Sequence, residues 1–232
     1  MAIDTPMTRF QDRRDAGRRL AGELAHYADQ KDVAVLALPR GGVPVAYEVA
    51  RRLRAPLDVF VVRKLGVPGQ EELAMGAIAS GGVRVLNRDV VALVGATEEI
   101  IEAVAAREER ELERRERLYR GSRPALEVTG RTVILIDDGL ATGASMRAAV
   151  RAVRSLSPAR IVVAVPTAPP DICNLLGPEV DEVISFLKPY RFRSVGAWYD
   201  DFSQTTDDEV RQLLSEASHV LDSEMTPTRR DQ

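Results

Sequence analysis

The chain alternates between short unbroken apolar runs and longer segments in which apolar residues return every three or four positions. Runs at 33–38, 57–62, 133–136, 161–166 and 183–186 show little polar alternation and are rich in Val and Ile. Strands buried on both faces of a parallel sheet have this pattern. Around them the period becomes helical. Ala16, Leu20, Leu24 and Tyr27 form one stripe, behind a capping-box pattern at Thr8-Arg9-Phe10-Gln11. Helices are also predicted over 44–53, from Thr142 through Met146, Ala149, Val150 and Val153, and over 168–176. A last one follows Thr206-Asp207-Asp208-Glu209, with Val210, Leu213, Leu214 and Ala217 on one face. Strand, helix and strand within about thirty residues make a βαβ unit with parallel strands.

Three segments break this rhythm. Residues 65–72 are turn-rich and poor in large apolar groups, which predicts a mobile loop, with a short hairpin after it around Gly81-Gly82. Thr97 opens a long charged helix whose Glu111–Arg115, Glu113–Arg117 and Glu116–Arg120 pairs stand four apart. Its thin stripe of Ile101, Val104, Ala105, Leu112 and Tyr119 favours a helix packed along one edge; the alternative is a homodimer arm. Residues 188–202 concentrate the aromatic side chains on an irregular segment. The pattern predicts one α/β domain over 1–232: a doubly wound, mainly parallel sheet with its core at about 30–190 and the inserted long helix. A small C-terminal hood follows at about 187–204, then a helix and a disordered tail from about 226.

The candidate chemistry falls where strands stop. The run 133–136 ends in Asp137-Asp138-Gly139-Leu140-Ala141-Thr142-Gly143-Ala144-Ser145. Open α/β sheets place ligands at the carboxyl ends of their strands. Free amides at a helix start, with hydroxyls from Thr142 and Ser145, make an anion site that Gly143 lets a phosphate approach closely. Two adjacent carboxylates beside it accept hydrogen bonds from vicinal hydroxyls and favour a bound Mg2+. A sugar phosphate suits this pairing. The stretch is no Walker A loop, because Ala144 stands where a Lys would be needed, and it has no G-x-G-x-x-G. The run 33–38 ends in Pro39-Arg40-Gly41-Gly42, an Arg fork beside exposed amides, and 57–62 is followed at once by Arg63-Lys64.

The stretch 137–145 resembles the PRPP-binding motif of type I phosphoribosyltransferases, where PRPP is 5-phosphoribosyl 1-pyrophosphate. The resemblance implies that Asp137 and Asp138 hold the ribose hydroxyls and a Mg2+. It also implies that Gly139, Ala141, Thr142, Gly143, Ala144 and Ser145 surround the sugar and its 5′-phosphate. Arg40, Gly41 and Gly42 match the family's pyrophosphate loop, which often carries an unusual cis peptide. Arg63 and Lys64 are placed for phosphate contact, Lys64 steadying the leaving group. The family carries its flexible catalytic loop after the second strand, here 65–72, and a hood over the acceptor base, for which Phe192 and Trp198 are stacking candidates. The implied reaction transfers the phosphoribosyl group to a nitrogen base or other amine with release of pyrophosphate. Family members acting on 6-oxopurines carry Asp where this chain has Ala141, which counts against hypoxanthine or guanine as acceptor.

Composition narrows the alternatives. With 45% hydrophobic and 29% charged residues the chain is neither disordered nor membrane-embedded, and a net charge of −3 counts against a nucleic-acid binder. One cysteine, Cys173, excludes an internal disulfide framework and, with no signal pattern at the N-terminus, fits a cytoplasmic enzyme. Two other classes remain open: a PRPP-sensing regulator of the same fold without catalysis, and a sugar-phosphate hydrolase, for which no nucleophile–base constellation is visible.

Overall fold

The computed structural model describes residues 9–225, with side chains placed as far as residue 219. Thr8, expected to cap the first helix, and the tail from 226 lie outside the described residues. Helix α1 (Arg13–Glu23) is capped instead by Asp12, whose carboxylate accepts from the Asp15 amide at 2.7 Å. Strand β1 (Val33–Ala37) leads into α2 (Gly42–Leu53) and β2 (Leu57–Val59). The chain then leaves this sheet for β3 (Val62–Val67), β4 (Gln70–Ala79) and β5 (Val83–Leu86), followed by α3 (Arg88–Val94) and α4 (Glu98–Arg120). It returns through β6 (Thr132–Ile136), α5 (Ala144–Ser155), β7 (Arg160–Thr167), α6 (Pro170–Leu176) and β8 (Glu182–Leu187), and α7 (Asp207–Met225) closes it.

Five strands form one parallel sheet in the order β2-β1-β6-β7-β8. The period-two geometry of its strands sorts their side chains into two cores. Val33, Val35, Ala37, Ile134, Ile136, Val162 and Ala164 join Leu20 of α1, Val49 of α2 and Leu213 of α7 on one face. Leu36, Val133, Leu135, Ile161, Val163 and Val165 meet Met146, Ala149, Val150 and Val153 of α5 on the other. This is the doubly wound sheet expected, with both faces covered.

The long helix is also as expected. Thr97 accepts from the Ile100 amide at its start, the three Glu–Arg pairs form, and the stripe Ile101, Val104, Ala105, Leu112 and Tyr119 is buried. It packs along β3, β4 and α7. A buried pair anchors its end: Arg120 Nε donates to Asp58 Oδ1 and Oδ2 at 2.9 and 2.8 Å, and the Leu126 amide donates to the same Asp58 at 3.0 Å.

Two expectations need correction. The second strand of the sheet stops at Val59, not residue 62. The Phe60 amide still reaches Ala37 O, but Val61 pairs with Ser80 and carries the chain into the hairpin sheet. Residues 65–72, expected as a mobile loop, are the turn end of the antiparallel β3–β4 hairpin, where only Pro68 and Gly69 separate the strands. Gly66 marks a bulge rather than a loop. The register shifts on either side of it, and a Cβ there would lie 2.7 Å from Glu71 O.

Candidate functional site

The ends of β1 and β6, neighbours in the sheet, bring the two glycine-bearing loops into contact. Ideal Cβ positions measure how close. A Cβ on Gly41 would stand 2.0 Å from Asp138 Oδ2, and one on Gly42 would stand 2.7 Å from Ile136 O and 3.0 Å from Asp137 Cα. Both glycines have ordinary helical backbone, so it is closeness and not a left-handed turn that demands them. The peptide between Pro39 and Arg40 is cis, the feature expected of this loop.

The acidic pair is deeply placed. Burial first, and the charge of Asp138 second, push the Asp137 carboxyl well above the usual carboxylate range. Asp138 is raised by burial too, while the guanidinium of Arg13 pulls it the other way. Asp137 Oδ1 accepts from the Asp138 amide at 2.9 Å, and Asp138 Oδ2 accepts from Arg13 Nε at 2.8 Å. Among the described residues no further residue is seen donating to the second oxygen of either group. One oxygen of each carboxylate thus remains for a ligand.

Beyond the pair the loop turns into the start of α5. Gly143 takes φ +71° at the N-cap of α5, which turns the chain so that the first helical amides point outward. Ala141, Thr142, Ala144 and Ser145 are exposed there, and Thr142 Oγ1 accepts from the Ala144 amide at 3.4 Å. Gly139 lies under the hood, where a Cβ would meet Val195 Cγ1 at 2.6 Å, and the nearby Thr167 hydroxyl is buried without a partner among the described residues.

The cations divide. Arg40 stands 3.8 Å from Asp207 at the start of α7, beside Tyr119, whose phenol is pushed up to about 12 by burial and its hydrogen bond to Asp207. Arg63 and Lys64 alternate along β3. Arg63 Nε donates to buried Glu108 of α4 at 2.8 Å, whereas Lys64 lines a groove of about 280 Å³ shared with Ala144, Arg147 and Arg151 of α5. The structure therefore brings Lys64 to the groove beside the start of α5 and ties Arg63 to the long helix.

In the hood, Trp198 is buried with Phe10, Ala16 and Tyr199, and Phe192 stacks on it at 6.4 Å. The Trp198 ring is packed and only 9% exposed; among the described residues Tyr190, at 92%, and Phe202, at 37%, are the exposed rings of this segment. Two site residues escaped the sequence reading. Tyr199 donates to the Asp138 carbonyl at 2.5 Å and is kept a phenol by burial and by Asp138's charge. Arg13 reaches Asp138 from a helix start 125 residues away, and nothing in its neighbourhood of mixed charges marks it.

A family model described as the phosphoribosyl transferase domain matches residues 8–171. Two curated relatives from Mycobacterium tuberculosis (strains CDC 1551 / Oshkosh and ATCC 25618 / H37Rv), both provisionally named phosphoribosyl transferases, are 46% identical over 232 residues. The alignment covers 97% of this chain and 52% of theirs, so the chain spans about half the length of the curated relatives it matches. The crystal structure of TT1426 from Thermus thermophilus is also 46% identical and superposes with a TM-score of 0.81, covering 90% of this chain and 99% of that one. No helix of the described residues is long and apolar enough to cross a membrane.

Proposed function

This chain belongs to the phosphoribosyl transferase domain family, and we propose that it transfers the 5-phosphoribosyl group of PRPP to a nitrogen of a small heterocyclic base or amine, releasing pyrophosphate. The observation that carries the reading is the contact of the Gly41-Gly42 turn with Asp137 and Asp138, too close for any side chain, beside the open start of α5. A pyrophosphate loop, two hydroxyl acceptors and a phosphate cradle then lie in the order that PRPP itself presents them.

In this reading the free oxygens of Asp137 and Asp138 accept from the ribose hydroxyls, and the amides of Ser145 and Met146 with the Thr142 and Ser145 hydroxyls hold the 5′-phosphate. The amides of Gly41 and Gly42, with Arg40, hold the pyrophosphate, and Lys64 approaches from the hairpin. The bond from the anomeric carbon to the pyrophosphate oxygen breaks as the acceptor nitrogen bonds that carbon, and the acceptor's proton leaves to solvent. Positioning and stabilisation of the departing charge carry such a step, so no dedicated base is needed at Ala141.

The acidic pair fits Mg2+. No group of three or more His, Cys, Asp or Glu that could hold a metal ion occurs among the described residues. A site of one or two carboxylates completed by substrate oxygens and water is what Mg2+ takes, and it would neutralise both the buried pair and the departing pyrophosphate.

The test is a pyrophosphate-release assay over purines, pyrimidines and simple amines with PRPP and Mg2+. Release that depends on one acceptor and is lost in Asp138→Asn supports a transferase. Tight PRPP binding with no acceptor-dependent release across the panel identifies a PRPP sensor instead.

A further inference from the structure

Arg13 does three things at once. Its Nε donates to Asp138 Oδ2 at 2.8 Å, its Nη1 donates to the Ser203 carbonyl at 2.6 Å, and its guanidinium lies 3.9 Å over the Phe202 ring. Only about an eighth of either charged side chain is exposed, 12% for Arg13 and 14% for Asp138. It also borders the other loop, 3.2 Å from where Gly41 would carry a Cβ. Serving an edge, a corner and a face together requires a planar fork of donors, which Lys lacks.

This arrangement decides which oxygen Asp138 offers. With Oδ2 held by Arg13 and the Asp138 carbonyl held by Tyr199, the carboxylate cannot turn freely, and Oδ1 is the atom left for a ligand. The same guanidinium ties that choice to the end of the hood through Ser203 and Phe202. We propose that Arg13 is a positioning residue of the site: it orients Asp138 for the ribose hydroxyls and couples that orientation to the seating of the hood. This rests on the reading of Asp138 as a ribose ligand.

A double-mutant cycle on PRPP affinity, measured by calorimetry with Mg2+, tests it. Arg13→Ala in the wild-type background should weaken PRPP about tenfold, the scale of losing a hydrogen bond to a charged group. In the Asp138→Ala background the same change should cost less than about twofold, because its target is already gone. Arg13→Lys serves if Arg13→Ala does not fold, and it should recover less than half of the loss on a logarithmic scale, since charge alone cannot fill the fork. Emission from Trp198, the chain's one tryptophan, checks that the hood is seated in each variant. Equal losses in both backgrounds, full rescue by Lys, or no loss in the wild type would overturn the positioning role while leaving the PRPP reading intact. A wild-type chain that does not bind PRPP overturns both.

Discussion

Substituting Gly41 by Ala adds one carbon at the closest point between the two loops. The backbone there has φ −60° and ψ −32°, which Ala adopts freely, so no conformational strain enters. The cost is steric. The new Cβ would stand 2.0 Å from Asp138 Oδ2 against 3.4 Å for ordinary contact, so the carboxylate or the loop must move by about 1.4 Å. The Asp138 side chain cannot swing aside without breaking its bond to Arg13. Overpacking of this kind costs about 1–3 kcal/mol of stability. A misplacement near 1 Å at a reacting site costs about a hundredfold in rate. Gly41→Ala should therefore lower the denaturant midpoint modestly and abolish most PRPP binding measured by calorimetry. Gly22, in α1 with nothing within 4 Å of its Cβ position, is the control: Gly22→Ala should stabilise by about 0.5–1 kcal/mol and leave binding unchanged. If Gly41→Ala binds PRPP like the wild type, the two loops do not form one site and the reasoning fails.

Other perturbations separate the parts. Asp137→Asn should weaken PRPP by about 1–3 kcal/mol, read by the same titration. Because burial raises the Asp137 carboxyl above its 3.8 reference, the folded chain holds that proton more tightly than the unfolded one. Its contribution to stability is present below pH 3.8 and is lost as pH rises toward the elevated value, so ligand-free Asp137→Asn should show a flatter decline of melting temperature with rising pH. Arg40→Ala should weaken pyrophosphate more than ribose 5-phosphate in parallel titrations; equal losses would mean that it acts on the overall field. Arg120→Ala leaves Asp58 buried without its cation and should destabilise by about 3–5 kcal/mol in denaturant unfolding, with PRPP affinity little changed in the fraction that stays folded.

The parallel strands, the long helix and the acidic loop were all legible in the sequence, because each writes its signature within a dozen residues. Val133 to Ile136 lack polar alternation because both sheet faces are covered, and Thr97 with its three Glu–Arg pairs spells out α4. Residues 65–72 misled for a physical reason. Gly66 and Gly69 serve a bulge and a tight turn inside a hairpin, and composition alone does not separate that from a loop. Arg13 and Tyr199 were illegible for another. Their partner Asp138 is 125 and 61 residues away, and no periodicity reports such a contact. Trp198 packs into the core beneath the hood, and its sequence context does not separate that from stacking, because an aromatic on an irregular segment can pack as readily as it can stack on a ligand.

The strand order has a consequence for how the chain is made. β1 pairs with β2 at Val35↔Leu57, only 22 residues on, but its other edge pairs with β6 at Val33↔Thr132, 99 residues on. At about 5–20 residues per second, a growing chain leaves that edge open for roughly 5–20 s. Throughout that time an apolar strand has one bare side, the condition in which strands find wrong partners. The Gly41-Gly42 turn ends β1 and the acidic pair ends β6, so the site comes into being at the moment this gap is bridged. A ligand bound there can slow the sheet's reopening by mass action, but it arrives too late to hasten the closing.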